Sequence, residues 1–380
     1  MIGIKGQYLV SIKIGPISDA IKEADLKELK VIEEAGNQLP TMELIYESYS
    51  DETFPYLNEG NIVTISIGRT LDDLQDCEFI IIHPERARLS ALKHTIRLVG
   101  IHKAFPYVSI RKVLTTAKMS APNAITQVAS TYFTPDIQAS STENVNWIQP
   151  NTTDQVMVNH LWLQCNISGS FPLLTISLDG YLKLRDANKV FSQKPQWKFS
   201  PKAKEGDPTE IAYDGNPQII SQSGALNHLF GHTKQKSIRD TITGVVKSIT
   251  SDPVPPLLSM ASSHNRSNLI TSRQENHGEV DSDNQDTEHW ETNLRNIQSL
   301  ATFSSNKIAL SISNAFHKIK TLDTGMVKED EPNSPSQTSA ESISGKYVIS
   351  RVAYLVAYRM FNMHVELCRE SFNQAQGNIK

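Results

Sequence analysis

Both ends of the chain alternate with a period of two, and the middle carries a helical period. Near the N-terminus Tyr8, Val10, Ile12 and Ile14 alternate with Leu9, Ser11 and Lys13, the pattern of a half-buried strand. Met42, Leu44 and Tyr46 alternate with Glu43, Ile45 and Glu47, and Val63, Ile65 and Ile67 with Thr64 and Ser66. Phe79 to Ile82 is a short apolar run, and Thr95 to Ile101 is a further strand candidate interrupted by Gly100. Turns such as Ile14-Gly15-Pro16 and Ala35-Gly36-Asn37 separate them. Short strands between turn signals predict an antiparallel barrel or sandwich. Lys22 to Leu29 is a weakly patterned helix candidate.

The middle predicts two helices and a hairpin. Ser120-Ala121-Pro122 leads into Ile125, Val128, Ala129 and Tyr132, with Ser120 as cap and Pro122 in the first turn. A second helix follows Trp147-Ile148-Gln149-Pro150, capped by Thr152 or Thr153, with an apolar stripe of Val158, Leu161, Trp162 and Cys165. Asp179-Gly180 joins Leu173–Leu178 to Tyr181–Leu184, a strong hairpin signal.

The second half alternates apolar and polar stretches. Ile238, Ile242, Val245, Val246 and Ile249 stand at helical spacing. Ser262 to Thr292 is poor in apolar residues and holds the acidic run Glu279-Val280-Asp281-Ser282-Asp283, which predicts a long surface excursion, a flexible loop or a segment that orders only on a partner. Lys328 to Ser344 reads as a loop. Two long strands follow, Tyr347 to Tyr358 and Met360 to Arg369. No strict internal repeat is visible.

The chain has 380 residues, long enough for two to three domains. A net charge of −4, with 37 Lys+Arg against 41 Asp+Glu, argues against a dedicated nucleic-acid binder. Cys77, Cys165 and Cys368 are scattered, without the spacing of a disulfide framework or a zinc site. No secretory signal or membrane-spanning run is apparent.

Candidate chemistry is sparse. His228 and His232 stand four apart as in a zinc helix, but Glu does not follow the first, Gly231 weakens the helix, and a third ligand is missing. Ser221-Gln222-Ser223-Gly224 lacks the context of a nucleophile elbow. Neither G-x-x-x-x-G-K-[ST] nor G-x-G-x-x-G occurs. The carboxylate pairs Glu33-Glu34 and Asp72-Asp73 and the run Glu329-Asp330-Glu331 sit in polar surroundings and read as solvated surface. Trp147, Trp162, Trp197 and Trp290 are dispersed, whereas a sugar-binding module should expose a contiguous aromatic patch. We therefore expect no catalytic, cofactor-binding or metal residues, and no cofactor.

The C-terminal residues carry a resemblance. Ser344-Gly345-Lys346-Tyr347-Val348-Ile349-Ser350-Arg351-Val352, then Phe361, then Val365-Glu366-Leu367-Cys368-Arg369-Glu370-Ser371, resembles the closing hairpin of tailed-phage baseplate hub proteins. The middle order of helix, Trp147-Ile148-Gln149-Pro150-x-x-Thr153-Asp154, helix and Asp179-Gly180 hairpin is similar to that of the same family. The likeness runs from about residue 8 to 371, and the excursion from Leu226 to Arg295 departs from simpler members in length and composition.

The resemblance implies a mainly β fold with α+β insertions and two tube-type antiparallel β-barrel domains. These would be residues 1–105 and residues 191–225 plus 296–380. A small α/β domain would cover 106–190, and 226–295 would be an inserted helix and polar loop that contacts a partner. Three copies would close a pseudo-hexameric ring, a homotrimer adapting a trimeric central spike to a sixfold tail tube. The partners implied are the spike, a tail tube or tube-initiator protein and other baseplate proteins. DNA would cross the lumen without specific binding, which suits the mildly acidic balance. The implied place is the virion tail baseplate, assembled in the host cytoplasm, with no membrane and no enzymatic activity. Tyr347, Val348, Val352, Val365 and Leu367 are candidates for barrel packing, as they would be for ordinary sandwich packing. The competing readings are a receptor- or carbohydrate-binding tail module and a hub with cell-wall hydrolase activity.

Overall fold

The computed structural model describes residues 1–49, 52–90, 93–141, 143–202, 207–222, 233–240, 246–251, 272–280, 287–304, 306–329 and 343–369. The N-terminal strands are β1 (Ile2–Ile4), β2 (Tyr8–Ile14), β3 (Leu26–Glu34), β4 (Thr41–Ser48), β5 (Ile62–Gly68), β6 (Gln75–Arg88) and β7 (His94–His102). They lie side by side in the order β1-β2-β5-β6-β7-β4-β3, all antiparallel. The alternation places Val10, Ile12, Ile14, Leu29, Val31, Met42, Leu44, Val63 and Ile65 in the core. Each such side chain contributes about 1.5–3 kcal/mol relative to an exposed one. Residues 22–25 form a turn rather than a helix, because the Leu29/Val31 alternation extends β3 back to Leu26. β6 continues well past the apolar run Phe79–Ile82 to Arg88.

A middle unit follows. It holds α1 (Pro106–Ser109), β8 (Arg111–Thr115), α2 (Ala121–Ala129), β9 (Thr134–Ile137), β10 (Ile148–Thr153), α3 (Asp154–Leu163), β11 (Pro172–Ile176), β12 (Tyr181–Asp186) and α4 (Ala187–Ser192). Ser120 occupies the cap position of α2, but its side chain makes no capping hydrogen bond. Thr153 does cap α3, its hydroxyl accepting from the Val156 amide at 3.4 Å. Val158, Leu161 and Cys165 are fully buried, with Trp162 packed against their core. β11 and β12 form the expected hairpin, with Gly180 at φ +78°.

The C-terminal half supplies β13 (Trp197–Ser200), β14 (Glu210–Ala212), β15 (Asp214–Gln222), β16 (Thr233–Asp240), β17 (Val246–Ser251), β18 (Ser272–Val280), α5 (Thr287–Phe303), β19 (Asn306–Ser313), β20 (Thr324–Val327), β21 (Gly345–Ala357) and β22 (Met360–Arg369). Here the excursion differs from expectation. Residues 233–240 and 246–251 are antiparallel strands rather than one helix, and β16 also pairs with β18. Ile238, Val246 and Ile249 are β-branched, and their strand preference prevails, while Ile242 and Val245 lie outside the described residues. Among the described residues the helix of this region is α5, which begins within the stretch expected to be a polar loop and runs to Phe303.

The strand pairing reveals a repeat that the residues conceal. β20, β21, β22, β19 and β15 lie side by side in that order. This is the order β5-β6-β7-β4-β3, with the chain visiting the strands in the same sequence. β6 and β21 each carry an irregularity at the matching place, between Ile81 and His83 and between Ile349 and Arg351. Just before it, Ile81 gives its amide to Asn61 O and accepts from Gly60 N, both at 2.9 Å. Ile349 does the same with Asp323 O and Leu322 N, both at 2.9 Å. Gly60 and Leu322 both have left-handed backbone, with φ +87° and +67°. The excursion leaves the frame between β15 and β19, where the first frame has only the short turn between β3 and β4.

The two frames join through β3 and β21, paired antiparallel from Arg351 opposite Glu34 to Ala357 opposite Glu28. They share one apolar core. The 14-stranded sheet that results stays open, ending at β1, β14 and β15 among the described residues. Strand content is thus as expected, whereas barrel closure within the chain is not seen.

Candidate assembly surface

The junction makes eight strands continuous in the order β6-β7-β4-β3-β21-β22-β19-β15. Because successive side chains point to opposite faces, register defines two surfaces. One inward row runs Ile81, Gly100, Met42, Val31, Tyr354, Met363 and Ile312, and every member is buried. The neighbouring outward row runs Ile80, Ile101, Thr41, Ile32, Ala353, His364 and Ser311, most of them half-buried or exposed. Gly100 keeps the inward row tight, since a Cβ there would lie 2.7 Å from the Met42 methyl and 3.1 Å from Phe79 Cβ and would make both give way.

Several charges on the outward surface are paired. Arg97 bridges Glu43 at 2.7 Å and Glu85 at 3.0 Å. Glu47 lies 3.0 Å from Lys27 and 2.8 Å from Lys93, and Arg351 lies 2.6 Å from Glu366. These hydrogen-bonded lysines hold the half-buried Glu47 carboxyl below the usual range. Solvent-screened pairs of this kind add little to stability. Their importance is that cations and anions interleave, so the surface offers no single-sign stripe to a polyanion.

The edges of the eight strands are unfinished. β5 and the Gly60–Asn61 turn cover the outer edge of β6 only as far as Ile81. From residue 82 to 87 that edge has no backbone partner among the described residues, and β15 pairs on one side only. An inward row running Ile349, Leu367, Ile308 and Ile219 passes from full burial to solvent at its end. Ile308 is 0% exposed and Ile219 51%. Ile220, at 50%, and Ile82, at 39%, are exposed beside the same open edges.

A buried carboxylate ties the frames to the middle unit. Glu33 reads as surface in the sequence but points inward from β3, because it shares the parity of Leu29 and Val31; it is 3% exposed. It accepts from Leu178 N at 2.7 Å, Thr321 N at 2.9 Å and Thr321 Oγ1 at 2.5 Å. Burial raises its pKa, and those hydrogen bonds offset only part of the rise. Next to it Lys320 pairs with Asp179, and Asp323 accepts from Trp197 Nε1 and Lys320 N, each at 3.0 Å. Full satisfaction of such a cluster favours one relative placement of the elements it joins.

Other singled-out residues take structural positions. Tyr347, Val348, Val352, Val365 and Leu367 are all buried. Asp73 accepts from the amides of Arg69 at 2.8 Å and Thr70 at 2.7 Å. Glu329 accepts from Ile343 N at 3.1 Å, while Asp330 and Glu331 lie outside the described residues, as do His228 and His232. The indoles of Trp147, Trp162 and Trp197 donate to Met119 O, Pro172 O and Asp323 at 2.9–3.0 Å, so they make no common patch. A cavity of about 230 Å³ lies among Trp162, Leu174, Phe303, Leu322, Val348 and Cys368. Among the described residues no group of three or more His, Cys, Asp or Glu is placed to hold a metal ion, and no helix is long and apolar enough to cross a membrane. Sequence reasoning missed the open edges of β6 and β15; the only signal was Ile219-Ile220 in an otherwise polar stretch.

No family model matches the chain, and no curated protein matches it by sequence. Solved structures do match. A tail protein from Neisseria meningitidis MC58 superposes with a TM-score of 0.62 at 12% identity, covering 96% of this chain and 98% of that one. The 43 kDa tail protein of prophage MuSo2 from Shewanella oneidensis gives 0.61 at 11%, covering 96% and 98%. An E. coli component of the type VI secretion system, itself similar to T4 bacteriophage tail proteins, gives 0.50 at 7%, covering 92% and 76%. The chain therefore has the fold shared by phage tail proteins and a type VI secretion component.

Proposed function

We propose that this chain is a structural hub of a phage tail baseplate, acting as an adaptor between threefold and sixfold symmetry. The observation that carries the reading is the pair of equivalent strand frames in one chain, fused through β3 and β21. A chain that holds two copies of one frame presents six frames when three copies close on themselves. One end of such a ring can then meet a threefold spike and the other a sixfold tube. The tail-protein fold supports the same reading. With the sheet continuous, its outward face would line the lumen. There the interleaved ion pairs give DNA nothing to grip, so DNA crosses without specific binding. The reading assigns two tube-type units, residues 1–105 and 191–225 plus 296–380, flanking the middle unit 106–190. The segment 226–295 lies at the rim as a contact for neighbouring baseplate proteins. A chain with this role works by shape and performs no reaction.

Negative-stain class averages of the purified protein test this. A ring with three copies and six similar lobes is expected. Single compact particles, or a ring with any other number of lobes, would overturn it.

A further inference from the structure

The β3·β21 junction is a template for a second junction that the chain cannot complete by itself. The shared irregularity fixes the equivalence of the hairpins, with Ile81 matching Ile349 and residues 83–88 matching 351–356. Pairing with β7 and β4, or with β22 and β19, carries the equivalence across to the edge strands. Lys30 then corresponds to Gln218 and Val31 to Ile219. In the first frame Lys30 lies opposite Leu355 and Val31 opposite Tyr354. The positions on β6 that match Leu355 and Tyr354 are Ala87 and Arg86.

We infer that β15 of one copy pairs antiparallel with the open outer edge of β6 in a second copy of this chain, with Gln218 opposite Ala87 and Ile219 opposite Arg86. The inference rests on the ring reading and specifies its contact. Both strands lack a backbone partner at these edges among the described residues, and a bare edge is a template for pairing. The edges face opposite ways from the two ends of one sheet, so their union is head-to-tail and can close a ring. It would extend the row Ile349–Leu367–Ile308–Ile219 onto the neighbour, as Val31 already extends its own row onto Tyr354. Pro217 lies in the irregular stretch between Asp214 and Gln218, so regular pairing starts at Gln218, consistent with the confinement of proline to sheet edges and bulges.

Paired cysteines test the register in the full chain. Cys77, Cys165 and Cys368 are buried, which keeps the background low. The pair Lys30→Cys with Leu355→Cys reports the template and should link within one chain on mild oxidation. The pair Gln218→Cys with Ala87→Cys should link between copies, giving covalent dimers and trimers on a non-reducing gel. A native mass of three copies without that link, while the template pair does link, would overturn the proposed pairing and leave the ring standing. A native mass of one copy would overturn both. A link formed inside a single chain would also overturn the pairing. Backbone amide exchange on unsubstituted protein gives a second reading that no folding defect can confuse. Residues 82–88 and 218–222 should exchange at least tenfold more slowly in the assembled state, and equal rates would overturn the pairing.

Discussion

Val31 and Ile219 hold the same place in the two strand frames, yet Val31 is 0% exposed and Ile219 51%. The difference lies in what comes next along the sheet. Val31 is followed by Tyr354 on β21, and nothing among the described residues follows Ile219. A β-branched residue facing the core side of an edge strand is an unfinished contact rather than a surface ornament. On the proposed pairing, the comparison separates two roles that sequence alone merges, an apolar residue that stabilises the chain and one that contacts another copy.

The sharpest way to break the comparison is to place a charge at both sites. Val31→Asp puts a carboxylate in a filled core with no partner. It should cost about 5 kcal/mol or more and unfold the chain, read as lost cooperative denaturation. Ile219→Asp should shift the denaturation midpoint of the single chain by less than about 0.5 kcal/mol and yet abolish assembly. Next in size is Phe361→Ala. Phe361 is fully buried and stacks on Tyr8 at 4.9 Å, closing the core where the ends of the chain meet. Its loss should cost about 3–5 kcal/mol in urea denaturation.

A smaller effect comes from pH. His102 is buried on β7, and that burial, aided by neighbouring Lys103, lowers its pKa to about 4. Its Nδ1 accepts from the Ala104 amide at 3.3 Å, which requires the neutral ring. The unfolded chain binds a proton near pH 6.5 and the folded chain only near 4. Stability from this group is therefore full above about pH 6.5 and is lost as pH falls toward 4, at up to about 1.4 kcal/mol per unit. Denaturation at pH 5 and pH 7 should show that slope, and His102→Gln should reduce it, leaving the share of His317, whose pKa burial also lowers to about 4. The smallest effect is at the β21–β22 turn, where Tyr358 and Arg359 have φ +50° and +66°. Arg359→Gly removes left-handed strain and should stabilise by about 1 kcal/mol, since the carbonyl of residue 359 still accepts from Tyr8 OH as it does now at 2.8 Å.

The strands that alternate cleanly, such as Tyr8–Ile14 and Met360–Arg369, were legible because one face is buried along their whole length. The far half of β6 was not, because His83–Arg88 leaves the core and carries polar residues on both faces. β3 was obscured by Glu33, a carboxylate on an inward position that becomes intelligible only beside Thr321 and Leu178. The repeat was invisible for a related reason. It is kept in pairing and in the position of one irregularity, and matched places hold unlike residues, Ile82 against Ser350 and Gly60 against Leu322. The assembly surface followed suit, since edges are a property of pairing and side-chain periodicity does not record them.

On the proposed reading, a chain with two frames closes with two further copies through its open edges. The native mass of the unsubstituted protein beside Ile219→Asp, measured at matched concentration, tests it most directly. A mass of three copies is expected for the former and of one folded copy for the latter. A single-copy mass for the unsubstituted protein at every concentration, or three copies for both, would contradict it.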